Sequence, residues 1–261
     1  MLVCCTHKRM HACPMEADMN YVLPLFLLCA VACSSKMVYA FEKDIIATSS
    51  GDLEITFIGH GSLMMKVNNI VVHVDPYGAL ADYALLPKAD VLLITHEHRD
   101  HLDPGAIDKI RTADTKVYLS AACAEKLSGG TIMKNGDTES VSGIGIEAVP
   151  AYNLVHRRDS GEPYHPKGRG NGYVLTVGGK RLYIAGDTEN IPEMKALKNI
   201  EIAFLPMNLP YTMTPDMVAD AARTFKPHIL YPYHYGDTDT SLIVKLLKND
   251  AGIDVRIRRM K

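Results

Sequence analysis

Charge of one sign is missing from this chain. Its 261 residues carry 28 lysines and arginines against 30 aspartates and glutamates, a formal charge of −2 with a sequence pI of about 6.6. So even a balance excludes non-specific nucleic-acid binding as the main activity, which needs a dense positive field. The two short basic clusters, His156-Arg157-Arg158 and Arg256-Ile257-Arg258-Arg259-Met260-Lys261, read as solvated surface. Cysteine is scarce where it would matter. Cys4, Cys5, Cys13, Cys29 and Cys33 all precede residue 34, and one cysteine, Cys123, remains in the body. A lone thiol cannot close a bridge within its chain, so no disulfide staple is expected. With neither His nor Asp beside it, Cys123 reads as a small packed side chain. Low-complexity tracts and linkers rich in Pro, Gly or Ser are also absent beyond about residue 41. Residues 41–261 therefore read as a single domain, with ample apolar content for a core.

The apolar run at 21–33, "YVLPLFLLCAVAC", is too short to cross a bilayer as a helix. Preceded by Lys8 and Arg9, it resembles the apolar part of an export leader. Small-residue exits follow, either Ala30-Val31-Ala32 before Cys33 or Val38-Tyr39-Ala40 before Phe41. Glu16 and Asp18 fit such a leader less well. Residues 1–40 are read as that leader, which makes the protein periplasmic or lipid-anchored. A translation start at Met19 or Met37 is the competing reading, and the Met37 start would leave a cytoplasmic protein.

Short β-rich runs recur through the body: Leu53–Ile58, Leu63–Val67, Ile70–Val74, Val91–Thr95, Lys116–Leu119, Ile144–Val149, Tyr173–Val177, Arg181–Ala185, Ile202–Leu205, Ile229–Tyr231 and Val255–Ile257. Helices are expected at Pro104–Arg111, Pro192–Leu197 and Pro215–Phe225, each with Pro in its first turn, and at Ser241–Lys248. Thr214 is a cap for the third. The first half is strand-heavy and then adds helices, and the second half repeats that order. An α+β architecture fits, with two mixed sheets packed face to face and helices outside.

What the chain does have is "THEHRDHLD" at 95–103, which packs three of its 11 histidines into nine positions after the apolar run Val91–Ile94. In a loop leaving a strand, His96 and His98 can aim both imidazoles at one point. The adjacent Asp100 and His101 can then serve a second point a few ångströms away. Neutral imidazole and carboxylate are ligands that Zn, Mn or Fe accept. A zincin helix is excluded, because Asp100 stands where His-Glu-x-x-His needs its closing histidine. A closed structural zinc site would normally draw on cysteine, and none is at hand. Other candidates end strands elsewhere: Asp75 in "VHVDPYG", Asp187 in "YIAGDTEN" and His234 in "ILYPYHYGD". His165 lies in the Gly-rich loop "YHPKGRGNGY" before a strand. Acid or histidine at so many strand ends suits a site on one rim of packed sheets.

His96-x-His98-x-Asp100-His101, Gly186-Asp187-Thr188 and His234 together resemble the metallo-β-lactamase-fold hydrolases over roughly residues 53–236. "IGHGSLMMK", "VDPYG", "HPKG", "AGDTE" and "PYTMTP" look most like the branch of ascorbate-phosphate lactonases and uncharacterised metal-dependent hydrolases; true β-lactamases look different around these motifs. The resemblance implies a four-layer αβ/βα sandwich with two divalent metal ions at the upper edge between the sheets. It implies that His96, His98 and a later histidine, His165 or His156, hold one ion. Asp100, His101 and His234 would hold the other, with Asp187 shared. "HPKG" before a strand favours His165. Asp75 matches the family's first acidic motif and would support the histidine loop, since ligating imidazoles need a fixed tautomer. By the same analogy His60 lies near the site, a core histidine bonded to backbone being the other reading.

A water shared by two such ions becomes hydroxide near neutral pH, its pKa falling from about 15.7 towards about 7. The expected reaction is hydrolysis of an ester, lactone, amide or phosphodiester in a small molecule, with Asp187 and Asp100 the catalytic carboxylates. Lys167 and Arg169 flank the loop of His165 and point to an anionic substrate, with ordinary surface charge the competing reading; Tyr211 is a candidate hydrogen-bond donor. Zn or Mn is favoured and Fe stays open. Cu(I) is disfavoured without cysteine. An ester or lactone substrate is favoured over a phosphodiester. A diiron redox relative would carry a carboxylate in place of His98 and a flavin-binding domain, and a nucleic-acid processor a clamp domain; each of these is missing. A non-catalytic metal-binding descendant would normally have lost ligands, and this chain keeps all seven.

Overall fold

The computed structural model describes residues 41–261, so the leader reading falls outside the described residues. Period-two alternation builds the core. In β2 (Gly51–Gly59), Leu53, Ile55 and Phe57 join one buried cluster while Ile58 joins another. In β3 (Ser62–Val67) and β4 (Ile70–Val74), Leu63, Met65, Val67, Val72 and Val74 share the first cluster, and Met64 and Val71 the other. Successive side chains leave a strand on opposite faces. Both faces of the sheet are therefore covered, which is why the strands read as near-continuous apolar runs.

The first sheet has the order β1 (Glu42–Thr48), β2, β3, β4, β5 (Val91–Leu93), β6 (Lys116–Leu119) and β7 (Thr131–Ile132). It is antiparallel from β1 to β4 and parallel from β4 to β7. The second half of the chain repeats the plan. β8 (Thr138–Val141), β9 (Ile144–Ala151), β10 (Gly170–Val177) and β11 (Lys180–Ile184) form an antiparallel meander. β12 (Ile200–Pro206), β13 (Ile229–Tyr233) and β14 (Asp254–Val255) then add in parallel. Side chains of both sheets make up the central cluster. α1 (Pro104–Ile110) and α2 (Ala121–Ala124) pack on the outer face of the first sheet. α3 (Pro192–Lys195), α4 (Pro215–Phe225) and α5 (Ser241–Leu247) cover the second. This is the α+β sandwich with outer helices that the resemblance implies. No helix among the described residues is long and apolar enough to cross a membrane.

Three strands and one helix had no sequence signal. β1 exposes three of its seven residues and buries only Ile46, so no apolar run marks it; β7 has two residues, β8 is almost wholly exposed, and α2 is a single turn. The strand expected through Thr95 ends at Leu93. Thr95 N–H donates instead to the Asp75 carboxylate, and its carbonyl accepts from Asn171 of the opposite sheet. α4 follows its signals closely, with the Thr214 hydroxyl accepting from Met217 N–H and Pro215 in the first turn.

The basic C-terminal cluster is not free surface. The Arg258 guanidinium donates to both Asp44 oxygens at 2.7 Å, Tyr231 donates its hydroxyl hydrogen to the same carboxylate, and Met260 is fully buried. Arg256 approaches that carboxylate at 3.4 Å. These bonds fasten β1 of the first sheet to β13 and the final residues of the chain. Burial pushes the Asp44 carboxyl up, but the Tyr231 and Arg258 bonds outweigh it and hold it below its ordinary value. A carboxyl lowered in the folded state stabilises above its unfolded pKa and loses that contribution as the pH falls through the folded value. Asp44→Ala should therefore cost about 1–3 kcal/mol at pH 7 by urea denaturation. The gap to wild type should hold down to about pH 5 and narrow below about pH 4; a gap independent of pH would contradict the charged clamp.

Candidate metal centre

Strand polarity gathers the polar residues at one edge. β4 runs into Asp75, β5 into the loop 94–103, β11 into Asp187 and β13 into His234. β10 is antiparallel to β11, so the loop before it, carrying His165, lies at the same edge. β2 ends there too, at the turn of His60 and Gly61. His60, Asp75 and His234 all have left-handed backbone, with φ of 51°, 44° and 44°. Residues with a Cβ pay about 1–2 kcal/mol for that geometry, which the surrounding contacts must offset. Gly61 and Gly186 allow close approach. A Cβ on Gly61 would stand 2.7 Å from the His101 ring, and one on Gly186 2.9 Å from the Asn171 carbonyl.

Two donor groups result. His96, His98 and His165 form one, and Asp100, His101, His234 and His60 the other; within each, potential ligand atoms lie within 4.8 Å. Asp187 stands between them. Its Oδ2 is 3.2 Å from His165 Nε2, 3.4 Å from His234 Nε2 and 3.8 Å from His96 Nε2, while Oδ1 is 3.6 Å from His101 Nε2.

Four of the rings are oriented from behind. Thr95 Oγ1 donates to Asp75 and so accepts from His96 Nδ1 at 3.0 Å, which turns the His96 Nε2 lone pair inward. Asp75 Oδ2 accepts from His101 Nδ1 at 2.8 Å, and Asn153 Oδ1 from His165 Nδ1 at 2.7 Å. The Asn208 amide lies 3.3 Å from His234 Nδ1. His98 alone turns Nδ1 inward, 3.1 Å from His96 Nε2. His60 Nε2 is 3.0 Å from Asp100 Oδ2, so it bonds a carboxylate of the site rather than backbone.

The donor set fits divalent cations. His101 Nε2, His234 Nε2 and Asp187 Oδ1 are buried with no hydrogen-bond partner, and leaving such atoms unmet costs about 1–3 kcal/mol each. All three belong to groups converging on one space. Burial holds the imidazoles of His96, His98 and His234 below their ordinary range, His234 at about 4, in the neutral form that ligates. Burial would likewise depress His101, but the carboxylates of Asp187, Asp75 and Asp100 prevail and raise it to about 9. Burial alone would raise Asp187; the facing His234, His101 and His165 instead hold it well below the carboxylate range.

Of the two later histidines, His165 joins His96 and His98, while His156 turns its Nδ1 to Glu189 at 2.8 Å and belongs to neither donor group. Lys167 and Arg169 stand differently from the expectation. Lys167 pairs with Glu193 at 2.8 Å over the Tyr152 ring, and Arg169 pairs with Glu97 at 2.8 Å beside a small cleft. A cavity of about 500 Å³ opens over Asp100, Asp187 and His234; its cations are Arg99 and Arg158, and Tyr211 is in its wall. Sequence reasoning left Arg99 unread inside the motif and placed Arg158 on solvated surface. It also missed the orienting Asn153, Asn208 and Glu189. Glu189 is buried and accepts the N–H groups of Leu154, Val155 and His156 at 2.7 Å each, which shapes the loop that presents Asn153. Its place two residues after Asp187, inside "AGDTE", was the available signal.

Known proteins resemble this chain in sequence and fold. The family described as beta-lactamase superfamily domain matches residues 54–255. A protein of Methanopyrus kandleri named as a metal-dependent hydrolase is 30% identical over 197 residues, covering 70% of this chain and 84% of its own. The crystal structure of a Parabacteroides distasonis protein, assigned to the metal-dependent hydrolases, superposes with a TM-score of 0.81 at 55% identity. It covers 85% of this chain and 100% of its own. A metallo hydrolase from Ignicoccus hospitalis shares the fold, with a TM-score of 0.66 at 24% identity over 80% of this chain and 96% of its own.

Replacing Asp75 by Asn should weaken divalent-metal binding about 10–100-fold, because His101 Nδ1 and Thr95 lose the charge that fixes them. Competition with a chelator measures it, and unchanged affinity would contradict the orienting role.

Proposed function

This chain belongs to the beta-lactamase superfamily and is a metal-dependent hydrolase, and we propose that it cleaves a small anionic ester or lactone at the edge between its two sheets. The convergence of unpartnered His101 Nε2, His234 Nε2 and Asp187 Oδ1 beside a 500 Å³ cavity carries this reading. His96, His98 and His165 would hold one cation, Asp100, His101 and His234 a second, and Asp187 both. Zn or Mn suits the set, with Fe open, since the donors are imidazole and carboxylate without thiolate. Bound there, such cations supply Lewis acidity and lower the pKa of water from about 15.7 towards about 7.

The chain's own residues supply the rest. Asp187 Oδ2 faces His165 and His96 of one donor group and His234 of the other, so a substrate carbonyl entering the cavity meets both halves of the site. Asp100 is the member of the set with substantial exposure, 39% for its side chain, and it lines the cavity. His60 fixes its Oδ2. That oxygen is the acceptor for the proton released by attacking water and the point from which it reaches the departing alkoxide. The depth of Asp187, 5% exposed, keeps bulk water from competing for the imidazoles around it. Arg99 and Arg158 favour substrates carrying negative charge, and the same two cations would suit a phosphodiester.

Two substrate panels on the metal-loaded protein, lactones and carboxylic esters against bis-phosphate esters, separate these chemistries. Turnover of the first at least about tenfold above the second is expected; the reverse order would replace the ester reading with a phosphodiesterase. Asp187→Ala should leave less than one equivalent of bound metal by atomic emission and abolish turnover on either panel. Full metal content in that variant would refute the shared role of Asp187.

A further inference from the structure

Four of the nine exposed large apolar side chains among the described residues lie within two positions of Tyr211, which lines this cavity, or of Asn153, which is bonded to it. They are Leu154, Val155, Leu209 and Tyr211, between 44% and 63% exposed. Single exposed apolar residues are ordinary, whereas several on adjoining loops beside a cavity mark a binding surface. Two loops carry them, and Asn153 joins the loops by donating its side-chain N–H to the Tyr211 carbonyl at 2.9 Å. The Tyr211 ring packs edge-on against Tyr164 at 5.0 Å, and the Arg158 guanidinium lies 5.1 Å over Tyr164 while donating to its carbonyl. One wall therefore runs from Arg158 through Tyr164 to Tyr211, whose loop carries Leu209 and is bonded to the loop of Leu154 and Val155. Arg99, between the ligand candidates His98 and Asp100, is exposed on the same cavity. Neither Arg99 nor Arg158 forms an ion pair with a carboxylate among the described residues, in contrast to Lys167 and Arg169.

From this wall we infer that the substrate is an amphiphile, an anionic group held by Arg99 and Arg158 and an aliphatic arm lying on Leu154, Val155, Leu209 and Tyr211. The inference rests on the ester-hydrolase reading of the same site and adds which two ends the substrate has. The scissile bond lies between them, over Asp187. Water adds to its carbonyl carbon, the C–O bond breaks, and the alcohol leaves with the proton returned through Asp100, so that acid and alcohol are the products. A guanidinium holds a carboxylate or phosphate by paired N–H donors, and each methylene leaving water adds free energy in proportion to its area.

The test uses two series on the metal-loaded full chain: monoalkyl succinates from methyl to octyl as esters, and N-alkyl succinamates of the same lengths as inert probes. Calorimetry on the inert series should show Kd falling about twofold per methylene, half of what full burial gives. A triple variant, Leu154→Ser with Val155→Ser and Leu209→Ser, should flatten that slope while keeping its melting temperature, since these side chains are exposed. Arg99→Gln with Arg158→Gln should raise Kd about tenfold at every length and retain the slope. A flat slope in the wild-type protein, a slope surviving the triple variant, or no binding of any probe would overturn the inference. Chain-length-dependent binding without turnover of any ester would instead refute the ester reading and leave the two-ended cavity standing.

Discussion

A carboxylate taken out of water is costly unless partners surround it, and the Asp187 side chain is only 4% exposed. What it has around it is imidazole: His165, His234, His96 and His101, all within 3.8 Å. Remove that ring of nitrogens and the edge of the sandwich holds an unpaired charge; remove Asp187 and four imidazoles lose the carboxylate they share. The two halves of the site need one another, and a cation between them relieves both strains at once. The fold around this point can be understood as the means of holding it.

That holding is done by repetition. Each half of the chain is an antiparallel meander followed by parallel strands, and parallel strands deliver their C-terminal ends to one edge. Loops from both halves thus face each other without long connections. The edges are drawn together by direct bonds across the sheets, Asn171 N–H to the Thr95 carbonyl at 2.8 Å and His234 N–H to the His60 carbonyl at 3.0 Å. Left-handed backbone at His60, Asp75 and His234 turns the chain back sharply at the rim, so that side chains enter the site instead of solvent. Asp75 then couples backbone to chemistry: one carboxylate holds Thr95 and His101 together, and Thr95 holds His96.

Much of this could be read from sequence because buried strands and metal-type donors leave local marks. The apolar runs of β3, β4 and β6 stand almost residue for residue where alternation puts them, and "HEHRDH" declares its residue types in one short window. What escaped depends on partners far away along the chain. β1 is an exposed edge held by Arg258, more than 200 residues distant, and nothing in "EKDIIAT" announces it. Lys167 and Arg169 sit in the expected loop, yet Glu193 and Glu97 capture them, and that capture is tertiary. Arg99 and Arg158 escaped for the converse reason, since only folding reveals which cations have no acid beside them. His156 and His165 were separable by geometry, because Glu189 claims one and the donor group the other.

The cavity joins these features to chemistry, lined by donors of both groups together with Arg99, Arg158, Tyr164 and Tyr211. Its substrate-facing parts mean little unless the donors bind cations in the arrangement the side chains define. Anomalous X-ray diffraction from crystals of metal-loaded protein tests that most directly. Two anomalous peaks are expected, one among His96, His98 and His165 and one among Asp100, His101 and His234, with the Asp187 carboxylate between them. A single peak, or peaks that leave Asp187 without contact to either, would contradict the account.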